Sequence, residues 1–307
     1  GEADAPRRFD RARALATTGE RVIVPGLRAL RERTAALETA LEGLCPAPDA
    51  ARVETARAAW REAYLALERT VPYAFGPARD RNLLLEMAFW PPRPESVEAR
   101  VLSTDVIDDA WIDRLGASGE GLFSIEYLLF EPADAVAAAE TLAASERRCA
   151  YLAALGRHAS RTAAVLVAAW EGEGGHLALL ASASSPGNLT YRSLLTAESI
   201  VMSHLVAAVT LVRQARLAQP LGELDGGVPR PDAVRTRWAS CSVEGMRATL
   251  EGARTLFTAD DAGDASLEGY IRFRRPELAD RALREMDAAR AAIERVPEPL
   301  TTYALGT

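Results

Sequence analysis

Apolar residues recur at three- and four-residue intervals over most of the chain, and no stretch alternates apolar and polar positions long enough to read as a strand. That periodicity predicts helices. A first helical segment spans roughly Asp10 to Leu44. Within it Pro25, which lacks an N–H and crowds the preceding turn, predicts a kink or a break. Cys45 to Pro48 reads as a turn. A second helix is expected from about Asp49 to Val71, with Val53, Ala56, Trp60, Ala63, Tyr64 and Leu67 on one face. Pro72 to Pro77 ends it. Pro91, Pro92 and Pro94 forbid a continuous helix in the next stretch, where short helices are expected near 80–88 and 96–101. A glycine-rich loop at 116–121 opens a helix at Leu122 that closes near Phe130, ahead of Pro132. Long helices follow from about Ala135 to Trp170, from beyond Asn188 to about Ala218, from Ser242 to Phe257 and from Pro276 to Val296. Pro220 to Pro231 reads as a linker.

Long helices on short connections predict an all-α fold, built as two tandem, duplicated helical bundles of the four-helix type. The 307 residues accommodate two domains of ordinary size. The proline and glycine punctuation divides them into an N-terminal bundle, residues 1–140, and a C-terminal bundle, residues 141–307. Each half offers a long helix pair, a Pro/Gly-rich stretch and a shorter helix, the pattern of a duplication.

Composition alters this picture in a few places. The hydrophobic share of 49% supplies a sizeable core. The richest apolar run, Ile200 to Val212, is interrupted by His204 and falls short of the roughly 20 residues that span a bilayer. No transmembrane segment is therefore expected. A net charge of -7 without a basic stripe argues against a nucleic-acid partner. All 36 basic residues are arginine, which removes Schiff-base and P-loop chemistry, both of which require lysine. Cys45, Cys149 and Cys241 are too widely spaced for a CxxC motif. One disulfide with a free thiol and three separate buried thiols both remain open. The chain opens at Gly1 with neither the basic nor the apolar region of a signal peptide, and so reads as a processed chain.

No HExxH, GxSxG, GxGxxG or P-loop pattern occurs, and the histidines are only His158, His176 and His204. The sharpest local feature is the run Gly121 to Phe130. On a helix, Glu126 lies among Leu122, Phe123, Leu129 and Phe130, a carboxylate within an apolar surface. Such a group must be paired, ligated or protonated. Glu126 therefore reads as a metal ligand, general base or polar anchor, or as a structural carboxylate paired with Arg61 or Arg81. Glu198 sits similarly within the stripe Tyr191, Leu194, Leu195, Met202, Leu205 and Val209, or faces a neighbouring arginine. His204 on its apolar helix reads as a hydrogen-bonded core residue or a further ligand. His176, beside Gly174 and Gly175, and His158 both read as surface positions. The acidic positions at 105–113 and 260–264 read as solvated.

The stretch Ala59 to Tyr64, followed by Tyr73-Ala74-Phe75-Gly76-Pro77, resembles the imelysin-like family, in which a Trp-bearing helix leads into a Gly-Pro. Gly121 to Leu129 resembles that family's GxHxxE helix, with Gly121 and Glu126 matching. Pro220-Leu221-Gly222 and the Ser242 to Phe257 helix resemble its second half. The resemblance covers most of the chain. It implies two duplicated helical bundles with a site between them, export to the periplasm or outer envelope, often with a lipid anchor on the precursor, and association with iron acquisition and envelope iron-uptake partners. One member was named as an insulin-cleaving peptidase.

The motif histidine is Phe123 here, which neither binds a metal nor carries a proton, and the intact motif supplies fewer than the three protein ligands of a catalytic zinc. The resulting expectation is a non-catalytic, exported accessory protein of iron acquisition that binds a metal or small ligand. Glu126 and Glu198 are the expected acid ligands, for iron or another divalent or trivalent metal, because hard oxygen donors suit such ions. Phe123, Trp60, Arg61, Tyr64 and His204 would line the site. A protein-interaction scaffold with a degenerate site and a divergent metallopeptidase are the alternatives.

Overall fold

In the computed structural model, which describes residues 8–304, every regular element is helical. Gly1 lies outside the described residues. Polar caps set many helix starts. The side chains of Asp10, Asp49, Asp134, Ser145, Ser193 and Ser266 each accept a hydrogen bond from a backbone N–H in the first turn of the following helix. The face expected on the second helix is the one that is buried: Val53, Ala56, Trp60, Ala63, Tyr64 and Leu67 are all inside Ala50–Thr70. Pro25 neither breaks nor ends its segment. Helix runs without interruption from Arg11 to Leu44, with the wider π-type turn Gly19–Ile23 immediately before Val24–Leu44. A π turn re-registers the backbone hydrogen bonds, which lets the chain pass a proline without a stop. The expected single helix from Ala135 to Trp170 is two, Ala135–Ala143 and Glu146–Glu171, because Ser145 caps a fresh start.

Glu146–Glu171 packs along Val24–Leu44, which in turn packs on Ala50–Thr70. Leu152, Leu155 and Leu166 share one core with Leu27, Leu37 and Leu41. The expected division at residue 140 therefore does not coincide with a break in packing. A smaller cluster around Val212, Met246, Leu250 and Ile293 lies under the C-terminal helices. Cys45 and Cys149, 104 residues apart, form a disulfide joining the end of Val24–Leu44 to the start of Glu146–Glu171, while Cys241 is free and buried.

The 25-residue helical stretch Leu194–Ala218 holds an 18-residue window of mean hydropathy 1.7 and is long and apolar enough to cross a membrane by length and composition alone. In this fold it carries Glu198, paired with Arg11, and Arg216, paired with Glu68. His176 is not an exposed loop residue: its ring is buried against Trp170 and Phe75, and Nε2 lies 2.7 Å from the Tyr191 hydroxyl. His158 is also buried, its ring 3.4 Å from both Asp113 and Glu120, and burial pushes its pKa down.

Candidate binding site around Glu126

Glu126 owes its position to the turn before it. Gly121 has φ +83°, the left-handed region, and a Cβ there would sit 2.5 Å from the Glu86 carbonyl oxygen, so glycine is required. Leu122–Phe130 starts directly after this turn and is buried almost throughout. Trp60 fastens its first turn by donating from Nε1 to the Leu122 carbonyl at 2.7 Å. The Trp60 ring stacks on Tyr64 at 5.3 Å, and Tyr64 meets Phe123 edge-on at 6.0 Å. Phe123 thus fills its place as a packing residue, and on its face lies the Arg235 guanidinium, 4.4 Å from the ring centroid.

The Glu126 carboxylate turns toward the segment 235–242. Its Oε1 accepts hydrogen bonds from the backbone N–H groups of Trp238 at 3.1 Å and Ala239 at 3.0 Å. Its Oε2 is buried with no hydrogen-bond partner among the described residues. The Arg61 guanidinium donates to the Ala239 carbonyl at 3.3 Å and covers the Phe130 ring. Burial raises the Glu126 carboxyl to about 7, opposed by the Ala239 and Trp238 N–H groups and by Arg235 and Arg237. Beside it is a crevice of about 30 Å³ lined by Trp90, Pro91, Pro92, Asp232 and Trp238. This is room for a water or the tip of one polar group.

Trp60, Arg61, Tyr64, Phe123 and Glu126 are therefore brought together. Glu198 and His204 are not part of this assembly. Both Glu198 oxygens accept from Arg11, which also lies over the Tyr270 ring. His204 bonds through Nδ1 to its own helix, at the Ile200 carbonyl, and packs on Phe75. The expected two-carboxylate ligand set is thus divided between separate partners. Among the described residues no group of three or more His, Cys, Asp or Glu is placed to hold a metal ion. One orphaned carboxylate oxygen, beside a phenylalanine where the motif has histidine, does not fit a resident iron or zinc.

Beneath the site is a group that the sequence reading did not single out. Glu68 is fully buried, with Arg216 Nη1 2.5 Å from Oε2, Arg235 Nε 3.1 Å from Oε1 and the Thr249 hydroxyl donating to Oε2 at 2.9 Å. Burial pushes the Glu68 carboxyl upward, but Arg216, Arg235 and the Thr249 hydrogen bond prevail and hold it below the ordinary value. Arg235 thus joins this ion cluster to the Phe123 ring. The available signal was spacing: Glu68 lies four residues beyond Tyr64 and eight beyond Trp60, on the same helical face.

A family model described as Imelysin, a peptidase family, matches residues 23–306. The chain belongs to the imelysin family. It is 26% identical over 289 residues to iron-regulated protein A of Synechococcus elongatus, covering 92% of this chain and 75% of that protein. Two solved structures share the fold. One is described as an iron-regulated protein A precursor from Parabacteroides distasonis, with a TM-score of 0.83 at 16% identity over 99% of this chain and 90% of that one. The other is an imelysin-like protein from Psychrobacter arcticum, with a TM-score of 0.71 at 15% identity over 96% and 89%. The all-α expectation and the family resemblance both hold.

The raised Glu126 carboxyl has a consequence for stability. Its folded value of about 7 exceeds the ordinary 4.5, so the folded chain keeps a proton that the unfolded chain releases. Stability is fullest below pH 4.5 for this group and falls as pH rises toward 7, by about 3 kcal/mol at most. Glu126→Gln, which stays neutral, is expected to flatten the decline in urea-unfolding free energy between pH 5 and 7. A wild-type profile that rises over this interval, or a variant that keeps the wild-type slope, contradicts this assignment. Glu120, raised by burial and by Glu86 and Asp113 to about 7, adds a decline of the same sign that Glu120→Gln removes.

Proposed function

We propose that this imelysin-family chain is an exported accessory protein of iron acquisition that acts by binding, not by metal-dependent catalysis, through the Glu126 crevice. The observation that carries the reading is the buried Oε2 of Glu126, which has no partner among the described residues and lies beside a crevice the size of one polar group. A group of this kind answers a hydrogen-bonding tip, such as an ammonium or hydroxyl, presented by a ligand or partner. The site draws Glu126 from Leu122–Phe130 and the Trp238 and Ala239 N–H groups from a segment more than 100 residues away. The link to iron rests on the likeness to iron-regulated protein A. Export is supported by the Cys45–Cys149 disulfide, a bond favoured in oxidising compartments. Against a peptidase stand Phe123 at the motif histidine position and the lack, among the described residues, of a three-ligand group.

The test is radioiron uptake by source cells in which the chain has been deleted and then restored as wild type or as Glu126→Leu. Leucine keeps the bulk and removes the acceptor. Uptake that drops on deletion, recovers with wild type and stays low with a folded, equally abundant Glu126→Leu is expected. Uptake indifferent to deletion removes the iron role, and full recovery with Glu126→Leu removes the site.

A further inference from the structure

We propose that the groove where Val24–Leu44, Ala50–Thr70 and Ser242–Thr258 meet is a second binding site, for a small zwitterion of the amino-acid type. The groove encloses about 500 Å³, within the range of small-molecule sites, and shares no lining residue with the Glu126 crevice. Three features of its wall point to a ligand.

Tyr73 forms part of the floor. It is only 4% exposed, yet its hydroxyl has no hydrogen-bond partner among the described residues. The hydroxyl lies directly against Gly26, where an added Cβ would collide with it. The ring is buried but the hydroxyl oxygen itself is not, and the open space it meets is the groove. The rest of the floor is small, with Ala29, Ala66 and Gly252 leaving the volume free.

Six charged side chains surround the groove, and four of them neutralise one another. Arg69 Nε is 3.0 Å from Glu251, and Arg33 Nε is 3.8 Å from Glu62. The remaining two, Arg21 and Asp260, line the same groove, and neither side chain has an ion-pair or hydrogen-bond partner among the described residues. They are opposite in sign. A simple anion would answer Arg21 and meet Asp260 as a like charge, and a simple cation would do the reverse. A ligand bearing both a carboxylate and an ammonium answers both, with the Tyr73 hydroxyl as a third, uncharged contact. This assignment is independent of any role in iron acquisition.

Isothermal titration of the full chain with each proteinogenic amino acid separately, and with acetate and ethylammonium as single-charge controls, tests it. Saturable one-to-one binding of at least one amino acid is expected, with neither control binding as tightly. Arg21→Gln and Asp260→Asn, both on the exposed rim, should each weaken that binding roughly tenfold while the circular dichroism spectrum stays unchanged. Tyr73→Phe should weaken it as well. No binding by any amino acid, equal binding of acetate or ethylammonium, or affinity unchanged in both rim variants overturns the proposal.

Discussion

With Cys45 and Cys149 both replaced by serine, the folded state is expected to lose about 3–5 kcal/mol relative to the disulfide-bonded wild type. The bond closes a loop of 104 residues, which restricts the unfolded chain strongly. It also clamps two helices whose mutual packing forms the centre of the molecule: Leu37 and Leu41 on one share a core with Leu152 and Leu155 on the other. The native helices have their own caps and core, so the variant should keep its helical spectrum and lose stability, not structure. Urea unfolding with and without reductant measures the effect. Reductant should bring the wild type down to the level of the double variant and leave that variant unmoved, since only Cys241 remains and it is buried and unpaired. Coincident unfolding curves for oxidised and reduced wild type would contradict the assignment.

Glu68→Ala is expected to cost a similar amount, about 3–5 kcal/mol, for a different reason. The substitution leaves Arg216, itself buried, and the largely buried Arg235 without their shared carboxylate, and the Thr249 hydroxyl without its acceptor. A guanidinium left unpaired inside a protein is far more costly than one held against a carboxylate. Glu68→Gln retains an acceptor for Thr249 and should fall between. The pH dependence has a definite sign. The folded-state value of Glu68 lies below the ordinary 4.5, so its contribution is complete above pH 4.5 and is lost as pH falls through the lower folded value. That slope is opposite to the one expected from Glu126. Unfolding measured from pH 3 to pH 7 on the wild type, Glu68→Gln and Glu126→Gln separates the two carboxylates. Acid sensitivity unchanged in Glu68→Gln would show that the cluster does not act as described.

The sequence predicted the helices well where the apolar stripe was dense and the caps were plain, as in Ala50–Thr70 and Leu122–Phe130, whose expected and observed limits nearly coincide. It misjudged Pro25 because a π turn upstream absorbs the proline, an adjustment of backbone register that residue types alone do not display. The setting of Glu126 was legible for the same reason that it is unusual: a carboxylate interrupts an apolar helix, whose first turn is fastened by Trp60 and whose Phe123 meets Tyr64 edge-on. Its partners were not legible, because backbone N–H groups of Trp238 and Ala239 carry no side-chain signal and lie 112 and 113 residues away. Glu198 presented the same pattern of a carboxylate within an apolar stripe and has a different role, pairing with Arg11 across the fold. Leu195, counted on that stripe, is 66% exposed, and the face that packs inward is Ala197, Val201, Leu205 and Ala208. The histidines were misplaced because the buried rings find partners from distant segments: Tyr191 for His176, and Asp113 with Glu120 for His158.

On the function proposed, the imelysin-family site in this chain is a hydrogen-bonding site built on one buried carboxylate and not a metal centre. Equilibrium dialysis of purified protein against iron(II), iron(III) citrate and zinc, with bound metal quantified for wild type and Glu126→Ala, tests it most directly. Neither protein is expected to hold stoichiometric metal. One equivalent bound tightly by the wild type and lost in a folded Glu126→Ala would make Glu126 a metal ligand and contradict the account.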